Sequence, residues 1–100
     1  MTEDHSVFIG NKPFMNYVTG VVMHFTTRGA SEVTIRARGK FISRAVDVAE
    51  VATRRFLEGN VTFKDIVTGS ESFQNEEGRT VRVSTIQIVL TRMKAPEETL

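Results

Sequence analysis

Cysteine is absent from this 100-residue sequence. That excludes disulfides and thiolate chemistry, and it is compatible with a reducing compartment. Histidine is nearly absent: His5 and His24 are the only two, and neither belongs to a spacing that would hold a metal. His24 lies on a helical pattern and reads as a surface or partly buried residue, not a general base. No apolar run approaches the roughly 18 residues of a membrane span. The opening Met1-Thr2-Glu3-Asp4-His5-Ser6 is polar and acidic, unlike a signal peptide. Gly10-Asn11-Lys12-Pro13 lacks the glycine spacing and the Lys-Ser/Thr pair of a nucleotide-binding P-loop. Asn60-Val61-Thr62 matches a glycosylation sequon but has no secretory context. Repeats, linkers and low-complexity segments are also missing. With no catalytic constellation and no cofactor motif, the chain is not expected to be an enzyme.

What is present is a small globular composition, 40% apolar and 25% charged, enough for one domain with one core. The net charge of +1 understates a local imbalance. All 13 basic residues lie between His5 and Lys94, whereas four of the 12 acidic ones (Glu3, Asp4, Glu97, Glu98) lie in the terminal segments. The body therefore carries 13 against 8, or +5. No acid falls between His5 and Ser31. A basic body with one concentrated patch points to a polyanionic partner, although a solvated surface would look the same by composition alone.

Periodicity orders the chain as β-α-β-α-β-β. Val7-Phe8-Ile9 reads as a strand, and Pro13 suits the first position of a helix. Phe14, Val18, Val21, Val22 and Phe25 recur at helical spacing as far as a stop at Gly29, against the β-branched composition of this stretch. Gly20 marks either a weak helix or a close backbone approach. Residues 32–38 form a second strand, with Val33, Ile35 and Ala37 on one face and Thr34, Arg36 and Arg38 on the other. A second helix starts at Phe41 or Ser43 and runs to Leu57, with Gly59-Asn60 as its stop. Its stripe is Ile42, Ala45, Val46, Ala49, Ala52 and Phe56; Val48 and Val51 lie off it, which calls for a second packing partner.

Val61-Thr62-Phe63 and Ile86-Gln87-Ile88-Val89-Leu90 are strands, joined by a hairpin tip at Asn75-Glu76-Glu77-Gly78-Arg79. Val81 and Val83 fall on the face opposite to Ile86, Ile88 and Leu90. That calls for a bulge, or for an outer half that leaves the body and meets different surroundings. Ser70, Ser72, Gln74, Arg79, Arg82 and Ser84 make this outer half polar, so it reads as a projecting arm. The expected fold is an α+β two-layer sandwich with both helices on one face of a four-stranded mixed sheet. The expected bounds are tails at 1–6 and 95–100 around a single domain at 7–94.

The basic residues gather at strand-to-helix turns. Lys12 stands at the first turn and Arg38, Lys40 and Arg44 at the second. If the two strands are parallel, both turns lie at one edge of the sheet, where helix N-termini already favour anions. The alternative is that Arg36 and Arg44 pair with Glu32, Asp47 or Glu50 on a solvated face. For Arg38 and Lys40 no acid lies nearby in sequence. A phosphate backbone is the partner this pattern fits.

Two long segments also resemble a known family. Ile9-Gly10-Asn11-Lys12-Pro13-Phe14-Met15-Asn16-Tyr17-Val18 is similar to the opening motif of the archaeal Alba chromatin proteins. Ile35-Arg36-Ala37-Arg38-Gly39-Lys40-Phe41-Ile42-Ser43-Arg44-Ala45-Val46-Asp47 resembles their second signature. Arg55-Phe56-Leu57 and Ser84-Thr85-Ile86-Gln87-Ile88 fit later family segments, so the resemblance spans residues 7–92.

The resemblance implies an obligate homodimer, or a heterodimer with a paralogue, and a cytoplasmic, chromosome-associated protein with no membrane partner. It implies binding to double-stranded DNA without sequence preference, through the backbone and the minor groove, and binding to RNA. Dimers would associate side by side to coat, bridge and compact the duplex. On this resemblance Lys12, Arg38, Lys40 and Arg44 are body contacts, Arg79 and Arg82 are arm contacts, and Phe56 belongs to the dimer–dimer surface. Asn11 departs from the family, which commonly has a lysine there whose acetylation weakens DNA binding. Asn11 can hydrogen-bond a phosphate but has no charge to remove, so that mode of regulation is excluded at this position. The rival reading is a ribonucleoprotein subunit using the same basic surface.

Overall fold

A computed structural model describes residues 5–93. Residues 1–4 and 94–100, which hold most of the first expected tail, Lys94 and all of the second tail, lie outside the described residues. The elements are β1 (Ser6–Phe8), α1 (Phe14–Thr26), β2 (Glu32–Arg38), a 3-10 turn (Gly39–Phe41), α2 (Ile42–Val51) with a π-helical extension (Ala52–Phe56), β3 (Val61–Gln74) and β4 (Thr80–Arg92). The sheet order is β1-β2-β4-β3. β1 and β2 are parallel, while β4 runs antiparallel to both β2 and β3. This is the expected α+β arrangement on a mixed sheet. β1 starts at Ser6, and the Thr34 N–H donates to the His5 carbonyl. His24 is half-buried and paired, its Nδ1 sharing a hydrogen bond with His5 Nδ1 at 2.8 Å.

α1 forms despite its β-branched residues because Tyr17, Val18, Val21 and Phe25 fall on one buried stripe, where packing outweighs weak propensity. Pro13 caps this helix from just outside it, and its carbonyl accepts from the Asn16 N–H. At the other end the N–H groups of Thr27 and Arg28 return to the Met23 carbonyl, and that of Ala30 returns to His24. Gly29 takes the left-handed conformation this requires, at φ 68°. Nothing lies within 4 Å of a Cβ built on Gly20; that glycine weakens the helix without making room for a neighbour.

α2 turns a different face inward from the one its larger apolar residues indicate. Ala45, Val48, Ala49 and Ala52 are fully buried, whereas Val46 and Phe56 are exposed. Small residues let the helix lie close on the sheet while it also contacts α1. The π-helical extension completes the correction. Leu57 donates to the Ala52 carbonyl five residues back, and the extra residue in the turn buries Leu57 and leaves Phe56 53% exposed.

The long strands divide by environment. Val33, Ile35 and Ala37 of β2 and Ile86, Ile88 and Leu90 of β4 are buried under the helices, but β3 contributes only Val61 and part of Phe63. β4 alternates without interruption, and the single irregularity lies between Phe63 and Asp65 in β3. The two faces of β4 are therefore one regular strand crossing from body to arm, not a slipped register. Lys64, at the β3 bulge, reaches across β4 to Glu32, and that hydrogen bond raises its ammonium above the usual lysine range. The tip is built as expected. Asn75 Oδ1 accepts from the N–H groups of Glu77 and Arg79, and Gly78 takes φ 80°.

Candidate nucleic-acid interface

Because β1 and β2 run parallel, their C-terminal ends and both following turns share one edge of the sheet. Direct contact between the turns shows how close they are. Arg44, in the first turn of α2, donates from a terminal nitrogen to the Gly10 carbonyl at 2.6 Å. Its guanidinium also lies 5.7 Å from the Tyr17 ring centroid, within cation–π range.

Tyr17 completes a clamp on the first turn. Its buried ring projects from α1, and Oη accepts from the N–H groups of Gly10 at 2.9 Å and Lys12 at 3.0 Å. The Ile9 N–H donates to the Arg36 carbonyl. Backbone that would otherwise be a mobile loop is thus held at four points, while the side chains of Asn11 and Lys12 remain exposed. Arg44 itself is half-buried; its main contact is to the turn, which distinguishes it from the exposed cations around it.

The second turn uses Gly39 at φ 59°. A Cβ there would lie 3.1 Å from Val83 Cγ2, so the arm rests against this turn. Lys40 is exposed, with its ammonium 5.4 Å from the Phe41 ring centroid. Arg38 is the junction with the arm. It pairs with Glu71 of β3 at 3.0 Å and lies 5.9 Å from the Phe73 ring centroid. Local sequence gives Arg38 no acidic partner, yet folding supplies one. Conversely, the ion pairs considered for Arg36 and Arg44 do not form among the described residues. Glu32 takes Lys64, Glu50 takes Arg54, and Arg36 Nε contacts Ser6 Oγ at 3.4 Å.

Neither helix has an acid in its first turn, which leaves both positive dipole ends uncompensated. The fold thus gathers Asn11, Lys12, Arg38, Lys40 and Arg44 at one edge. Arg79 and Arg82 are set apart on the arm, both exposed, with Arg82 opposite Ser72 and Arg79 closing the tip beside Glu76 and Glu77. The molecule measures 64 × 25 × 25 Å, its length given by the arm. Tyr17 and Glu71 are the contributors that charge pattern misses. Tyr17 has a detectable signal, being the one tyrosine and set on the apolar stripe one turn after Pro13. Glu71 has none, because its partner is brought to it by strand pairing.

Comparison with known proteins agrees with this geometry. The family model described as Alba matches residues 5–70. The DNA/RNA-binding protein Alba of Methanoculleus marisnigri is 55% identical over 94 residues, covering 94% of this chain and all of that one. The protein of the same name from Methanothrix thermoacetophila is 57% identical over 90 residues, covering 90% of this chain and 98% of that one. Among solved structures, Alba from Thermoplasma volcanium superposes with a TM-score of 0.79 at 42% identity, covering 87% of this chain and 99% of that one.

Proposed function

The chain belongs to the Alba family, whose members are named DNA/RNA-binding proteins and not enzymes, and from that premise we propose that it binds nucleic acid through the edge shared by its two strand-to-helix turns. Its ligand is double-stranded DNA, gripped by phosphate neutralisation without sequence preference, and it also binds RNA. The observation that carries this reading is the Arg44–Gly10 contact. It ties the two turns together, so that Lys12, Arg38 and Lys40 stand on one rigid surface beside two uncompensated helix N-termini. Phosphate contacts fix position and orientation, whereas sequence is read by groups that reach base edges in the grooves. The body edge offers the first kind, and the arm carries Arg79 and Arg82 toward the minor groove.

The working unit is a homodimer or a paralogue heterodimer. Ile66 and Val46 are large apolar residues that remain 56% and 40% exposed, a cost that a second copy would remove. Phe56, turned outward by the π-helical extension, fits side-by-side contact between dimers. In that arrangement the protein coats, bridges and compacts DNA as a chromosome-associated component of the cytoplasm. Asn11 lowers the charge of the first turn while keeping a hydrogen-bonding amide, so this turn neutralises less phosphate than it would with a lysine there. The direct test is competition between duplex DNA and structured RNA for the purified protein at two salt concentrations. Duplex binding that weakens steeply with salt supports the proposal; preference for structured RNA at both concentrations favours the ribonucleoprotein reading.

A further inference from the structure

The sheet face opposite the helices holds a cavity of about 310 Å³ that includes Phe8, Arg36, Arg38, Gln87, Thr85 and Glu71. Strand register explains the cluster. Phe8 pairs with Arg36, and Arg36 with Gln87, so a phenyl ring, a guanidinium and a carboxamide form one row across β1, β2 and β4. Directly paired side chains in a sheet have Cβ atoms roughly 5 Å apart, so the row spans about the size of one nucleotide. Arg38 and Thr85 form the next row in the same direction.

Phe8 is 69% exposed, the most exposed of the large apolar residues described. An exposed ring marks a protein interface when it belongs to a contiguous apolar patch. The other apolar residues that line the cavity, Ile9, Ala37 and Ile86, are buried, and around Phe8 stand two arginines, a glutamine, a threonine and a glutamate, a composition unsuited to an apolar interface. An aromatic face beside cations and a donor–acceptor amide is instead the chemistry by which unpaired bases are held: the ring stacks, the amide reads the base edge and the guanidinium takes the phosphate. Arg36 has the capacity for this, since a guanidinium has five donors and one of them meets Ser6.

We propose that this cavity is a binding site for one unpaired nucleotide of a single strand, with the base stacked on Phe8, its edge met by Gln87 and its phosphate held by Arg36 and Arg38. A base within a duplex cannot enter, because its pairing edge is occupied and its faces are stacked. The site is continuous with the duplex-binding edge through Arg38, which borders both. A strand lying along the edge can thus place an unstacked base in the cavity, at a single-stranded end, loop or bulge. The inference rests on the nucleic-acid reading above but adds a ligand that the phosphate edge alone does not select.

The test is an anisotropy titration of the full chain with labelled, unstructured RNA and DNA strands of roughly ten nucleotides and with a blunt duplex of matched length. The wild type is compared with Phe8→Ala and Phe8→Tyr. Phe8→Ala weakens single-strand binding roughly tenfold to a hundredfold, leaves duplex binding unchanged and keeps the thermal midpoint; Phe8→Tyr restores the affinity. Dependence on Phe8 in either the RNA or the DNA arm supports the site and identifies its polymer. A strand carrying 2-aminopurine reports stacking by fluorescence quenching in the wild type that is lost in Phe8→Ala. Single-strand binding indifferent to Phe8, or an equal loss on single strand and duplex, overturns the site. Failure of the wild type to bind the duplex at all refutes the underlying reading instead, so the two failures are distinct.

Discussion

Tyr17 Oη accepts two backbone N–H groups, from Gly10 and Lys12, and no other side-chain oxygen is placed to take them among the described contacts. Tyr17→Phe leaves two part-buried donors without their acceptor, which destabilises the fold by about 1–3 kcal/mol. A urea melt measures this, and the loosened turn also weakens nucleic-acid binding. Glu71 acts in the opposite direction. Its ion pair with Arg38 joins side chains that are 58% and 59% exposed, where such pairs contribute only about 0–1 kcal/mol to stability. Glu71→Gln therefore leaves the melting temperature nearly unchanged while tightening duplex binding, because Arg38 no longer has an internal carboxylate competing with phosphate. In an Arg38→Gln background the same substitution gives a smaller gain, and a gel-shift double-mutant cycle reads that difference. At this scale the sequence shows the cations and their turns. It conceals which of them are already occupied, because the partners of Arg38 and Arg44 come from distant strands and turns.

The two helices differ in how far periodicity determines them. α1 has one buried stripe carrying its bulky residues, so period and volume agree. In α2 the residues at i, i+3, i+4 and i+7 that become buried are mostly alanines, while Val46 and Phe56 face outward. Close packing against two neighbours selects small side chains over hydrophobic ones there, a preference hydropathy does not encode. The π-helical extension is invisible to any fixed period, since it inserts one residue into the turn. The arm was legible as a polar hairpin because its tip chemistry is local, but the bulge at Lys64 was not. The arm's support at the second turn is testable: Gly39→Ala puts a side chain at φ 59°, costing about 1–2 kcal/mol, and against Val83 Cγ2 at 3.1 Å. Chemical denaturation measures the loss. Trimming the arm between residues 72 and 83 removes no fully buried residue, so the body still folds and elutes at the same assembly state on a sizing column, with reduced affinity for duplex.

At the scale of the molecule, a radius of gyration of 15.7 Å exceeds the roughly 13 Å of a compact chain of this length. Much of that excess is arm, stabilised by cross-strand pairing with few buried contacts. Such a shape suits the proposed function, in which the arm reaches along a polymer and a second copy covers the exposed apolar residues. If Phe56 mediates the proposed contact between dimers, Phe56→Ala reduces it, seen as shorter protein-coated tracts by electron microscopy, while leaving affinity for a short duplex intact. The central claim is that affinity comes from phosphate neutralisation at the edge bearing Lys12, Arg38 and Lys40, and the salt dependence of duplex binding tests it most directly. With about −0.9 in the log–log slope for each phosphate neutralised, three exposed cations on each copy of the proposed dimer predict a slope near −5, and Lys40→Ala should make it shallower by about 2. A slope near zero, or one that Lys40→Ala leaves unchanged, would contradict the account.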